Sequence, residues 1–176
     1  LKILSFDLEL NQDPSGAKII EVGACIGDTD TLEVLESYSA FVDPKQPLVE
    51  YIIKLTSITQ SQVEAGGTLT EAYRGMEALA QQYDCLRMPL VWGIGDGQAL
   101  RRELPVEVEW SFGRRELDVK AVFQAHEMAR GEKVQAGLAK ALTRLGLSFK
   151  GRKHRAVDDA INTFLIYGEL LKRFLK

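Results

Sequence analysis

Between residues 2 and 10, Leu4, Phe6, Leu8 and Leu10 alternate with Ser5, Asp7 and Glu9. That period of two predicts a strand with one apolar and one polar face. A second apolar run, Ile19 to Ile26, is rich in β-branched residues and follows the turn signal Asp13-Pro14-Ser15-Gly16; a third, Leu35 to Val42, stops at Asp43-Pro44. The short connections predict an antiparallel meander. The period then becomes helical. Thr68 with Glu71 fits a capping box, and Leu69, Ala72, Tyr73, Met76, Leu79, Ala80 and Tyr83 mark one face. Pro89-Leu90-Val91-Trp92-Gly93-Ile94 reads as a buried strand, and residues 97–104 and 119–130 as helices. Val134, Leu138, Ala141, Leu142 and Leu145 predict a helix closed by Gly146. A last helix runs from about 156 to 174, with Val157, Ile161, Phe164, Leu165, Gly168 and Leu171 on its inner face. The order of elements predicts a single mixed α/β layer domain over residues 1–176.

Composition narrows the class. The chain is 45% apolar, enough for one packed core, and no apolar run is long enough to span a bilayer, so no membrane partner is expected. Cys25 and Cys85, 60 residues apart, form neither a disulfide framework nor a zinc-ligand spacing, and with no secretory signal visible a reducing, cytoplasmic setting is expected. The net charge of −3 hides an asymmetry. Residues 1–50 carry ten acids and three bases, whereas residues 133–157 carry seven bases and no acid. A basic tract alone is more often a solvated face than an anion site, so it matters only if chemistry sits inside it.

Three places carry candidate chemistry. Asp7 and Glu9, two apart on a strand, project to the same side. Like charges so close raise each other's pKa unless a cation joins them, and hard oxygen ligands suit Mg²⁺ or Mn²⁺; by themselves they are better read as two solvated acids on an exposed strand face, because acids at strand ends are common. Asp96 follows the buried strand, where functional side chains collect in open α/β sheets, and is otherwise a helix N-cap. A dinucleotide fingerprint beginning at Gly93 fails, because its third glycine falls on Gln98. His154 lies in the basic tract just before a helix that opens with Asp158 and Asp159, acids that also favour a helix N-terminus. Were His154 helical, Asp158 would share its face; in a loop, that argument disappears. There is no G-x-S-x-G, and His126 has no nucleophile motif near it. Together, four carboxylates and a histidine with a pKa near working pH match the two-cation clamp used for phosphodiester hydrolysis. Two divalent ions would also turn the formal charge positive, so an acidic chain does not argue against a polyanion.

At this point the sequence resembles the DEDDh 3′–5′ exonucleases (the DnaQ-like superfamily, close to its Eri1-like and RNase T-like branches). Phe6-Asp7-Leu8-Glu9 is similar to the D-x-E first motif, and Ile19-Ile20-Glu21-Val22-Gly23-Ala24 to the strand that follows it. Leu55-Thr56-Ser57-Ile58-Thr59 resembles the LTGIT segment with Ser57 for Gly, and Trp92-Gly93-Ile94-Gly95-Asp96 the second motif. Asp118-Val119-Lys120 resembles a DLK element, and Leu145-Gly146-Leu147 through His154-Arg155-Ala156-Val157-Asp158-Asp159-Ala160 the third motif and its approach. The resemblance implies a ribonuclease-H-like α/β fold, a mixed sheet whose three leading strands are antiparallel and whose further strands are parallel, flanked by helices. It selects Asp159 over Asp158, five residues after His154.

It further implies that Asp7, Glu9, Asp96 and Asp159 hold two Mg²⁺ or Mn²⁺ ions, with His154 deprotonating the attacking water. The expected activity is hydrolysis of single-stranded DNA or RNA from the 3′ end to nucleoside 5′-monophosphates. Leu10 and Asn11 are expected at the terminal nucleotide, and Arg152 and Arg155 at the phosphates. The alternative is a non-catalytic nucleic-acid-binding or regulatory protein on the same fold, in which a ligand or the histidine is usually lost; here the full set is present.

Overall fold

The protein is described by a computed structural model covering residues 1–14 and 16–174. Three strands lead, β1 (Lys2–Asp13), β2 (Gly16–Asp28) and β3 (Val34–Phe41), antiparallel as their short connections predict. The hairpin between β1 and β2 closes with Asp13 opposite Gly16; Ser15 of the turn signal lies outside the described residues. Two short strands, β4 (Leu90–Val91) and β5 (Leu117–Asp118), add in parallel on the other side of β1, giving the order β3-β2-β1-β4-β5. The helices are α1 (Glu50–Thr56), α2 (Gln60–Glu64), α3 (Leu69–Gln82), α4 (Asp96–Glu103), α5 (Val119–Ala129), α6 (Leu138–Arg144) and α7 (Ala156–Phe174). Among the described residues no helix is long and apolar enough to cross a membrane, and Cys25 and Cys85 are both free.

Several boundaries differ from the sequence reading. The strand expected through Ile94 ends at Val91, because Gly93 and Gly95 take φ of 87° and 140° and turn the chain out of the sheet. The helix expected from Val134 begins at Leu138, after Gly137 at the N-cap, and ends as expected at Gly146, φ 79°. The capping box of Thr68 and Glu71 is present in full at the start of α3. Unanticipated are β5 and the short helices α1 and α2, although α2 carries its own capping box in Thr59 and Gln62.

The period of two divides β1 between two layers. Leu4, Phe6 and Leu8 pack with Tyr73 and Met76 of α3 on one face. Ile3 joins the cluster under α5, α6 and α7 on the other, and the buried Ser5 hydroxyl donates to the Ala160 carbonyl of α7 at 2.8 Å. Asp7 and Glu9, in phase with Ile3 and Ser5, therefore belong to the α7 face.

α7 lies on β2 along a track of glycines. A Cβ on Gly23 would overlap the backbone of Ala156 and Val157, and one on Gly27 the ring of Phe164. Next to Gly23, the fully buried Glu21 locks the first turn of α7 to the sheet. Its carboxylate accepts hydrogen bonds from Arg155 Nη2 at 2.8 Å, from Arg155 Nε at 3.1 and 3.2 Å, from the Ala156 backbone at 3.0 Å and from Ser39 Oγ at 3.0 Å. The Arg155 guanidinium also stands over the Phe41 ring, 5.2 Å from its centroid.

Two substitutions test this junction. Gly23→Ala meets backbone that cannot rotate away, so it is expected to cost about 3 kcal/mol, the upper end for overpacking, in urea denaturation. Glu21→Ala leaves Arg155 and the Ala156 N–H without their acceptor and is expected to cost about 3 kcal/mol. Adding Arg155→Ala to it should cost little more; full additivity in that double-mutant cycle would show that the pair does not act as a unit.

Candidate active site

The α7 face of β1 brings the first two acids beside the start of α7. One carboxylate oxygen each of Glu9 and Asp159 and a ring nitrogen of His154 lie within 4.8 Å of one another. Asp7 feels the charges of Asp96, Asp159, Glu9 and Glu21, so all four predicted carboxylates share one electrostatic site.

That crowding shows in their protonation. Burial first, then Asp96 and Asp159, hold the Asp7 carboxyl well above the usual carboxylate range. Burial raises Glu9 to about 8, helped by Asp159, Glu21 and Asp96 and opposed by Arg155. Asp96 rises to about 7 through burial and the charge of Glu116. Asp159 rises to about 6, mainly by burial, against a backbone hydrogen bond from His154. Among the described residues, Asp159 Oδ1 is buried with no hydrogen-bond partner. An orphaned carboxylate oxygen among acids that resist ionising is what a hard divalent cation would satisfy, so the donor set fits Mg²⁺ or Mn²⁺.

Each acid is placed by its neighbours. Asp96 is the first residue of α4 with Gly95 at the N-cap, so it is not itself the cap. Asp118 holds the loop before it: its Oδ1 accepts from the Gly93 backbone at 3.0 Å and caps α5 through the Ala121 backbone at 3.1 Å. Glu116 crosses Gly97, where a Cβ would overlap its carboxylate, and pairs with Arg101 at 3.0 Å.

His154 is in the loop before α7 with φ 60°, so helical spacing from it does not apply. The backbone settles the two aspartates differently. Asp158 Oδ2 accepts the Arg152 backbone N–H at 2.8 Å, over Gly151 at φ 75°, while Asp159 faces Glu9 and His154. Asn162, fully buried, fastens the same loop: its Oδ1 accepts from the Lys150 backbone at 2.9 Å and its Nδ2 donates to the Lys150 and Asp158 carbonyls at 2.8 and 2.7 Å.

The residues expected at substrate are largely turned inward. Asn11 is buried, donating to the Pro47 carbonyl at 3.1 Å and accepting from the Val49 backbone at 2.9 Å, so its amide holds the approach to α1. Leu10 is half-buried against the α3 layer. Arg155 is bound to Glu21, and the exposed Arg152 donates to the Ser57 hydroxyl. Sequence reasoning does not single out Glu21, Gly23 or Asn162 as positioning residues. The available signal for Glu21 is a lone acid in an apolar strand, since a charge there is buried and a buried charge requires a partner.

The RNase_T family, described as exonuclease, matches residues 4–167. The chain is 25% identical over 182 residues to ERI1 exoribonuclease 2 of Homo sapiens, covering 88% of this chain and 25% of that one. It is 24% identical over 165 residues to 3′-5′ exoribonuclease 1 of Mus musculus, covering 88% and 47%. The chain thus spans between a quarter and a half of those relatives. Among solved structures, the nuclease domain of 3′hExo, a DEDDh family member bound to rAMP, superimposes with a TM-score of 0.84 at 22% identity, covering 98% of this chain and 92% of that one. The chain shares the ribonuclease-H-like architecture of that structure, and by the extent of the family match it belongs to the RNase_T exonuclease family.

Proposed function

We propose that this chain is a metal-dependent exonuclease that works from the 3′ end of single-stranded DNA or RNA and releases nucleoside 5′-monophosphates. The observation that supports this reading best is the meeting of Glu9, Asp159 and His154 within 4.8 Å, inside the field of Asp7 and Asp96. Asp7, Glu9, Asp96 and Asp159 would hold two Mg²⁺ or Mn²⁺ ions. A pair of such ions acidifies water, neutralises the phosphodiester and steadies the leaving oxygen.

The chain's own residues do the rest. His154 is exposed at the edge of the cluster, where a ring nitrogen receives the proton of the attacking water as general base. Its left-handed backbone and the Asn162 clamp fix the loop from which it acts. Leu10 offers an apolar edge to the terminal nucleoside, and Asn11 acts as a positioning residue by holding the backbone at residues 47–49 beside it. Arg152 meets the phosphate, while Arg155 serves mainly to neutralise Glu21 and set α7.

End-labelled DNA and RNA of the same sequence, digested with Mg²⁺, Mn²⁺ or EDTA, test the reading. A ladder shortening from the 3′ end only with metal is expected, and the relative rates name the preferred strand. Asp7→Asn should abolish cleavage with the fold intact by circular dichroism, and His154→Ala should lower kcat about 10²- to 10⁴-fold. Tight binding without cleavage under any metal would move the assignment to the non-catalytic alternative.

The raised carboxyl pKa values give a pH prediction. A folded-state pKa above the unfolded one means that folding retains protons, so these groups favour the fold below about pH 4 and lose that contribution as pH rises. The loss runs through about 6 for Asp159, about 7 for Asp96 and about 8 for Glu9. In EDTA the contribution of the cluster to the melting temperature should therefore fall between about pH 5 and about pH 8.5. Added Mg²⁺ or Mn²⁺ should raise the melting temperature more at the higher pH. A metal-induced shift that is equal at both pH values would contradict the role given to these acids.

A further inference from the structure

Asp96 reaches the acid cluster from the first turn of α4, and that turn is poorly fixed by its own sequence. Its N-cap is Gly95, φ 140°, with no side-chain cap, and Gly93 before it has φ 87°. Glycines leave such a loop many conformations to choose from. The restraint comes from the neighbouring strand. Asp118 and Glu116, on either side of Leu117, both meet the loop: Asp118 accepts the Gly93 N–H, and Glu116 lies against Gly97, the residue after Asp96.

The Glu116 side chain is only 10% exposed. Arg101 Nη2 stands 3.0 Å from its Oε1, yet out of line for a hydrogen bond, and among the described residues that oxygen has no hydrogen-bond partner. Arg101 lies one turn along α4 from Gly97, and its guanidinium stands over the Trp110 ring, 4.6 Å from the centroid. A buried ion pair is often no more stabilising than apolar side chains of the same volume, so stability alone does not account for it. What a carboxylate adds at this place is charge, presented to a helix N-terminus that lacks a side-chain cap, and Asp96 feels that charge.

We infer that Glu116 is a positioning residue for Asp96: with Arg101 as its counter-ion, its carboxylate fixes the first turn of α4 and so the place of Asp96 among the proposed cation ligands. The inference rests on the exonuclease reading for what Asp96 does. Gly97 belongs to the same contact. The three atoms nearest to a Cβ on Gly97 would all belong to the Glu116 carboxylate, so hydrogen at this position is what lets the acid come so close. Two substitutions therefore reach one contact from opposite sides, one by deleting the carboxylate and the other by pushing it away.

The test reads cation binding and local opening, neither of which needs substrate. Electron paramagnetic resonance measures Mn²⁺ binding at about pH 8 under argon, and Asp96→Asn identifies the ion that Asp96 serves. At that pH the Asp96 carboxyl, raised to about 7, is mostly ionised, so affinity does not simply report its protonation. Glu116→Ala and Gly97→Ala are each expected to weaken that ion about tenfold. Gly97 has no left-handed backbone to accommodate, so alanine there favours the helix in itself and acts by displacing the carboxylate. In the double variant Gly97→Ala should therefore add nothing to the loss. In EDTA the Ala99 amide, which donates to the Gly95 carbonyl at 2.8 Å, should exchange about tenfold faster in either single variant. Glu107→Ala, which removes an exposed acid from the loop between α4 and β5, should change neither quantity.

Unchanged Mn²⁺ affinity in both single variants would overturn the inference. So would a Gly97→Ala loss as large in the Glu116→Ala background as in the parent, since the two would then act separately. Gly97→Ala leaves the ion pair in the chain, so the test does not depend on Glu116→Ala folding. Should the parent protein bind no Mn²⁺, the cation reading of the site fails. The exchange comparison would then still decide whether Glu116 fixes the turn that carries Asp96.

Discussion

Where the first turn of α7 meets β2, two backbones come so close that only hydrogen fits at position 23. That approach is held by one carboxylate, Glu21, which takes donors from a side chain of β3, from the Arg155 guanidinium and from the helix N-terminus itself. Both halves of the candidate site depend on it. Asp7 and Glu9 are fixed by the sheet, whereas His154 and Asp159 belong to the loop and first turns of a helix, free in principle to slide. The register of β1 and β2 sets Glu9 opposite Glu21 and Asp7 opposite Gly23, so the point of closest helix approach is beside the acids it must serve. A tie at that point transmits little positional error to Asp159, three residues further along the helix.

The same junction manages charge. Five buried or half-buried acids, Asp7, Glu9, Glu21, Asp96 and Asp159, act on one another, and such a cluster works against folding unless charges are compensated. Arg155 compensates Glu21 directly and also favours ionised Glu9. It offers no comparable compensation to the other acids, whose carboxyls stay above their ordinary range, and Asp159 Oδ1 is left without a donor. The protein thus neutralises the acid that positions the helix and leaves uncompensated those proposed as cation ligands. Stability lost at the second group is the usual cost of a site organised to receive cations.

How far this is legible in the sequence depends on the range of the interaction that fixes each residue. The common side of Asp7 and Glu9 follows from a period of two, a local property, and so do β1 to β3 and the capped start of α3. β4 is shorter than its apolar run, because composition cannot say that Gly93 and Gly95 adopt left-handed backbone. β5 has two residues, too few for any period, and exists through pairing with β4. α1 starts without a side-chain cap and has only seven residues, whereas the Thr59 and Gln62 signal of α2 is readable. The choice between Asp158 and Asp159 depends on where the helix begins and on the turn at Gly151, neither of which periodicity supplies. Glu21 and Asn162 look ordinary in sequence because their partners are 134 and 12 residues away.

Ser57 and His154 add a last constraint on how the site is closed. Both are non-glycine residues in left-handed backbone, φ 57° and 60°, a conformation costing about 1 kcal/mol or more each. Ser57 caps the end of α1 where glycine would sit without that cost, but only a side chain can receive Arg152, and its hydroxyl does so. The hydrogen bond joins the end of α1, near the segment held by Asn11, to the loop that carries His154. The loop is therefore anchored on three sides: by Asn162 from α7, by Asp158 at its turn, and by Ser57 from α1. A histidine proposed to meet a water beside Glu9 and Asp159 gains from a loop with few alternative conformations, and a strained backbone persists only where the surroundings over-determine it. The serine at position 57 thus belongs to the support of the site as much as to the end of its helix.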